Sequence, residues 1–180
     1  MILSSPNLDC RIVAASPQAN GFYGSSGLSG RIPEGYTLYE QRFTNAVKRA
    51  GRLWRKDSSS VLGGQGVLLS EWSKPGWTYH AKGIWLSPDS TSAPILTLFG
   101  STNLNARSAH LDTELSFLMV FPTEPGKDEP ESSTSSISEL RIALAQEVAR
   151  IRENTVDWQG WERKVRSTTK MIVWLLKGML

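Results

Sequence analysis

The sequence predicts an α/β fold, a mixed β-sheet flanked by helices, on three observations. Short runs at 9–15, 65–72, 94–99 and 112–121 are rich in Val, Ile, Leu and Phe, as strands of a half-buried or buried sheet are. Between and after them, apolar residues recur at helical spacing, first at Tyr36, Tyr39, Phe43, Val47 and Ala50, then at Ile137, Leu140, Leu144, Val148 and Ile151. The chain has 180 residues of which 39% are hydrophobic, about one domain in length and enough to bury a core.

In order along the chain, 9–15 reads as the first strand, with Cys10 a small buried residue on it. A single cysteine excludes an internal disulfide framework and a cysteine-rich zinc site. Residues 18–31 form a glycine-rich loop carrying Asn20, Gly21, Gly24, Gly27 and Gly30. It lacks the order GxxxxGK or GxGxxG and reads as a connection or as a phosphate cradle. Pro33 opens the first helix, whose apolar stripe faces the core. Residues 51–64 are a basic, then Ser/Gly-rich connection, and the cluster of Arg49, Arg52, Arg55 and Lys56 reads as a solvated helix end or, more sharply, as a lipid-surface patch. The stretch 122–136 is polar and proline-rich and predicts a mobile surface loop. Ser136 then caps the second helix, with Glu139 as its capping-box partner.

The end of the chain, 158–180, combines Trp158 and Trp161 with Arg163, Lys164, Arg166 and Lys170 and then a short apolar run. The run is too short to span a bilayer, which takes roughly 20 residues. It predicts a basic, tryptophan-containing terminal helix that docks on the core or lies in a membrane interface.

The chemistry concentrates around His80 and Lys82, which sit on a predicted strand where alternate side chains share a face. An imidazole beside an ammonium suits phosphoryl transfer. The imidazole attacks phosphorus or protonates a leaving oxygen, and the ammonium neutralises the non-bridging oxygens. The strand at 94–99 delivers Gly100, Ser101, Thr102 and Asn103 at its carboxyl end, where Gly100 permits a close backbone approach to an oxyanion and Ser101 and Asn103 donate hydrogen bonds. Asp112 and Glu114 share a face of the next strand, and either carboxylate would accept from the His80 N–H and fix its tautomer. No metal is called for, because no histidine and carboxylate cluster has ligand spacing, and the acidic stretch 124–131 reads as a solvated charge run. No organic cofactor is predicted either. With 20 Lys and Arg against 17 Asp and Glu, net +3 and scattered, the chain carries no nucleic-acid footprint.

The order His80, Lys82, then Gly100-Ser101 and Asn103 resembles the phospholipase D superfamily. More narrowly, Gly76-Trp77-Thr78-Tyr79-His80-Ala81-Lys82-Gly83-Ile84-Trp85-Leu86, Leu98-Phe99-Gly100-Ser101-Thr102-Asn103 with Arg107-Ser108, and 15–24 resemble the eukaryotic CDP-diacylglycerol–glycerol-3-phosphate 3-phosphatidyltransferases. One departure is that Ser87 stands where the general pattern has an aspartate, with Asp89 nearby and a longer gap to Gly100. The resemblance implies a phospholipase-D-like half-domain. It also implies transfer of a phosphatidyl group from CDP-diacylglycerol to sn-glycerol 3-phosphate, giving phosphatidylglycerophosphate and CMP for cardiolipin synthesis. Its implied roles are His80 as nucleophile or general acid, Glu114 rather than Asp112 as its orienting partner, and Lys82, Gly100, Ser101 and Asn103 at the phosphoryl oxygens. It draws the glycine-rich loop towards substrate binding and the terminal helix towards a membrane surface, peripheral on the mitochondrial inner membrane.

The family uses two such motifs per site, and this sequence carries one. His110, the other histidine, has no lysine two residues on. Met1-Ile2-Leu3-Ser4-Ser5-Pro6 resembles neither a signal nor a transit peptide and reads as a start within a longer protein. The chain is therefore expected to be a carboxyl-terminal half that needs a missing amino-terminal half. The alternatives are a homodimeric single-motif phosphodiesterase or nuclease, and an inactive fragment that binds a membrane or a partner.

Overall fold

The computed structural model describes residues 4–5, 7–56, 64–103, 108, 110–122 and 131–175. The chain folds as two compact units, one of Met1–His80 with Asn154–Lys177 and one over Ala81–Glu153.

The first unit holds a three-stranded mixed sheet in the order β1 (Cys10–Ala15), β4 (Val67–Trp72), β8 (Thr155–Asp157). β1 and β4 run parallel, pairing Cys10 with Val67 through Ala15 with Trp72, whereas β8 is antiparallel to β4. A parallel pair needs a crossover. Here α1 (Ile32–Arg49) supplies it, followed by the small β2 (Arg55–Lys56) and β3 (Gly64–Gln65) pair. β4 is the central strand and five of its six residues are buried, the polar Ser70 and Glu71 among them.

α1 starts with Pro33 in its first turn and Glu34 beside it, and ends with Lys48 and Arg49, charges that complement the helix dipole. Gly51, at φ +67°, takes the left-handed position past the helix end that a side chain disfavours. The buried face differs from the predicted stripe. Leu38 and Val47 are buried with Gly35, Thr37 and Thr44, while Tyr39 and Phe43 are half-buried and Tyr36 and Ala50 exposed. The reason is that each threonine hydroxyl donates back to the carbonyl four residues earlier, Thr37 to Pro33 at 3.2 Å and Thr44 to Glu40 at 2.7 Å. A threonine satisfied in this way packs as an apolar residue does, and the helix turns that face inward.

The end of the chain is not one helix over 158–180. It runs through β8, a 3₁₀ turn at Gly160–Glu162, and α3 (Ser167–Leu175), numbered after the helix of the second unit. Gln41 of α1 holds the connection by donating from its amide nitrogen to the carbonyls of Gly160 and Arg163, both at 2.9 Å. α3 docks through Thr169 and Val173, with a Val173 methyl facing Gly35 of α1. Residues 176–180 lie outside the described residues.

The second unit is an antiparallel meander, β5 (Gly83–Leu86), β6 (Leu96–Gly100) and β7 (Ser116–Val120), with α2 (Glu131–Glu153). Arg141 ties α2 to the chain ahead of β6, donating to the carbonyls of Pro94 at 3.0 Å and Ala93 at 3.1 Å. Ile137, Leu144, Val148 and Ile151 form its half-buried face, as their spacing predicts, with Leu140 exposed. α2 begins at Glu131, five residues before the predicted Ser136 cap, so 131–136 is helical and not loop. Of the loop expected at 122–136, residues 123–130 lie outside the described residues.

Candidate functional site

His80 and Lys82 lie on the connection between β4 and β5, not on a strand as predicted: regular pairing begins at Gly83. The connection is nonetheless held on its amino-terminal side. The Tyr79 amide donates to the Ala19 carbonyl at 2.9 Å, and the Tyr79 ring stacks on Trp72 with centroids 5.3 Å apart. Ala19 in turn sits in a short turn capped by Ser16, whose hydroxyl accepts from its amide at 3.2 Å. His80, the last residue of the first unit, is thus an exposed side chain on an anchored backbone. Lys82 belongs to the second unit and is half-buried.

The second unit also carries Gly100, Ser101, Asn103 and Glu114, and it brings Ser101 and Glu114 together. The Ser101 hydroxyl donates to the Glu114 carboxylate and accepts from the Leu115 amide at 3.0 Å, while the Ser101 amide donates to the Leu115 carbonyl at 2.9 Å. Next to it, the Thr102 and Ser116 hydroxyls are 2.6 Å apart. These bonds extend the β6–β7 pairing beyond Gly100 and fix a polar corner at the strand ends. Glu114 and Asp112 both precede β7, which starts at Ser116, so their expected common strand face is absent. Gly100 has a clear steric role: a Cβ there would lie 2.2 Å from the Leu115 carbonyl oxygen and 2.7 Å from the Ser116 Cα. The close approach that the glycine permits is to β7. Asn103 is exposed at the end of this corner.

Asp89 is committed elsewhere. In the β5–β6 hairpin one of its oxygens accepts from the amides of Thr91 at 2.8 Å and Ser92 at 2.9 Å and from the Thr91 hydroxyl at 2.7 Å, and the other accepts from the Ser92 hydroxyl at 2.7 Å. The Ser92 and Thr91 hydroxyls, aided by the two amides, hold its carboxyl well below the usual carboxylate range. This is the chemistry of a turn.

Two features of the first unit escaped the sequence. The first is a buried charge network. Glu71 of β4, 2% exposed, is gripped by both terminal nitrogens of Arg163. Glu40 of α1 accepts from the Trp158 indole at 3.0 Å, and burial raises its pKa to about 7 against the lowering effect of that hydrogen bond. No local pattern signals a contact between residues 92 apart in sequence.

The second feature is a pair of open depressions. One, of about 510 Å³, is lined by Gln18, Tyr23, Gly24 and Gly30 of the glycine-rich loop with Arg163, Lys164 and Arg166. The other, of about 470 Å³, adds Trp161, Ser167 and Lys170 around the same three cations. Arg166 is itself paired with Glu34, its Nε donating at 2.9 Å. Among the described residues no group of three or more His, Cys, Asp or Glu is placed to hold a metal ion.

The fold is α/β, with mixed and antiparallel sheets flanked by helices. The structure resembles crystalline phosphatidylserine synthase from Haemophilus influenzae Rd KW20 with a TM-score of 0.62 over 94% of this chain and 34% of that one, at 19% identity. No family model matches the sequence. Among curated proteins it is similar to the mitochondrial CDP-diacylglycerol–glycerol-3-phosphate 3-phosphatidyltransferase of Gallus gallus, 42% identical over 61% of this chain and 18% of that protein. The probable enzyme of the same name from Dictyostelium discoideum is 37% identical over 67% of this chain and 18% of its own length. The mitochondrial human enzyme is 32% identical over 93% of this chain and 27% of its own length. The chain thus spans about a quarter or less of the curated relatives it matches.

Proposed function

We propose that this chain is a carboxyl-terminal portion of a phospholipase-D-like CDP-diacylglycerol–glycerol-3-phosphate 3-phosphatidyltransferase and carries one of its two phosphoryl-transfer motifs. The observation that carries the reading is the identity of 32–42% to curated proteins that all bear that name. The fold shared with a phosphatidylserine synthase supports it independently.

In this reading the phosphorus of CDP-diacylglycerol is attacked by a histidine, a P–N bond forms and the bond to the CMP oxygen breaks. The 1-hydroxyl of sn-glycerol 3-phosphate then attacks the phosphohistidine, losing its proton as the P–N bond breaks, and phosphatidylglycerophosphate leaves. His80 is the nucleophile or the acid that protonates CMP and later takes the hydroxyl proton; the second motif takes the other part. Lys82 neutralises the non-bridging oxygens, and Ser101 and Asn103 donate to them. Glu114, which accepts from the Ser101 hydroxyl in the structure, has in this reading the family role of orienting the catalytic histidine. A mitochondrial, membrane-peripheral location and supply of cardiolipin precursor follow from the same reading.

The test is incorporation of labelled glycerol 3-phosphate into lipid, dependent on CDP-diacylglycerol, by this chain alone and by a complete enzyme carrying His80→Ala. No incorporation by the folded chain and none by the variant is the expected result. Turnover in the His80→Ala enzyme sinks the assignment, and activity of the chain alone that rises more steeply than its concentration means that two copies make the site.

A further inference from the structure

α3 is apolar on two faces, and among the described residues only one of them is packed. Thr169 and Val173, 1% and 2% exposed, dock the helix on α1, whereas Met171, Trp174 and Leu175 are 57%, 69% and 65% exposed. At 100° per residue Lys170, Trp174, Met171 and Leu175 fall in an arc of about 140° on the side away from Thr169 and Val173. A helix that merely closes a core turns charged residues to water on that side. This one presents an indole, a thioether and an isobutyl group, with a cation at their margin.

The margin is itself basic. The depression of about 470 Å³ at the start of α3 is lined by Arg163, Lys164, Arg166 and Lys170 against one carboxylate, Glu162. Arg163 and Arg166 are paired with Glu71 and Glu34, but Lys164 and Lys170 have no carboxylate partner among the described residues. Trp161, 45% exposed, stands in the same wall and packs edge-on against Trp158.

From this juxtaposition we infer that α3 and the depression at its start form a docking surface for an anionic phospholipid bilayer. Met171, Trp174 and Leu175 enter the headgroup–acyl boundary, and Lys164 and Lys170 bind lipid phosphates. Charge complementarity selects this occupant: exposed lysines around an exposed indole suit anionic headgroups, and tryptophan favours the interface itself. Nine residues make a helix about 14 Å long, less than half of the roughly 30 Å hydrocarbon thickness, so α3 lies in the interface and does not cross. Among the described residues no helix is long and apolar enough to span a membrane. The inference extends the lipid-substrate reading but stands on binding, which needs no turnover.

The experiment is vesicle co-sedimentation of the chain with phosphatidylcholine vesicles and with vesicles that also contain phosphatidylglycerol, at low and high salt. Circular dichroism checks that each variant is folded. The chain is expected to bind the anionic vesicles in a salt-sensitive manner. Trp174→Ser with Met171→Ser, both at exposed positions, abolishes binding, and Lys164→Gln and Lys170→Gln each weaken anionic binding roughly fivefold without affecting the zwitterionic background. A folded chain that ignores anionic vesicles overturns the inference. So does a serine variant that binds vesicles normally, and if that variant also loses self-association in sedimentation velocity, the face belongs to a second copy. Vesicle binding without phosphatidyl transfer leaves the docking surface standing and removes only the catalytic reading.

Discussion

Arg163 grips the carboxylate of Glu71 with both terminal nitrogens, one bond measuring 2.6 Å, and so joins the segment after β8 to the carboxyl end of β4. Glu71 is buried on a central strand, where an ionised carboxylate without a partner is costly, so the arginine is required once the glutamate is there. Hydrogen bonding to Glu71 raises the Arg163 pKa further, keeping it charged. Arg163→Ala is expected to lower stability by about 2–4 kcal/mol, less than for a fully buried pair because the arginine is partly exposed. Urea unfolding reads this, and adding Glu71→Gln should recover a good part of the loss. No recovery in the double variant means that the arginine acts through packing alone.

Glu40 gives the fold a pH dependence. Its folded pKa is raised from 4.5 to about 7, so between those values the folded state holds a proton that the unfolded state has lost. Stability from this group is fully present below about pH 4.5 and is lost as pH rises through 7, by on the order of 3 kcal/mol. Glu40→Gln keeps an acceptor for the Trp158 indole and removes the titration. Thermal unfolding of the variant should show a flatter profile from pH 5 to 8 and a higher midpoint at pH 8 than the parent; parallel profiles would show that Glu40 stays ionised throughout.

Gly100→Ala should open the polar corner. Its methyl group cannot sit 2.2 Å from the Leu115 carbonyl oxygen, and β7 must shift, at a cost of roughly 1–3 kcal/mol. Hydrogen exchange at the Ser101 amide, bonded to Leu115, should accelerate while the β5 amides change little. An unaltered Ser101 amide would mean that the corner tolerates the methyl group.

Asp89→Ala separates turn from chemistry. All four acceptor contacts of Asp89 are made within its own hairpin. A complete enzyme with this change should lose some stability and keep its CMP release per folded molecule. A selective loss of turnover with stability intact would make Asp89 the acid that Ser87 fails to supply.

Much of the fold was legible locally. Pro33 marks the start of α1 and Gly51 the connection after it by rules that operate within one turn, and the runs that became β1, β4, β6 and β7 are apolar enough to be strands wherever they pack. Which face of α1 turns inward was not legible, because it depends on threonine hydroxyls satisfying their own helix. The start of α2 was misplaced because a Ser-rich segment carries weak local preferences that the helix beyond it overrides.

Of the candidate site, residue types and order came from the sequence alone: an imidazole and an ammonium two apart, then a glycine, two hydroxyls and an amide after a strand. Those are covalent facts, and chemistry can be read from them. What only the tertiary structure decided is which groups meet. Ser101 finds Glu114 thirteen residues away because β6 and β7 pair, and Glu71 finds Arg163 across 92 residues because β8 returns to β4. Contacts of that separation depend on chain closure and on the burial that repays it, and no local pattern encodes either.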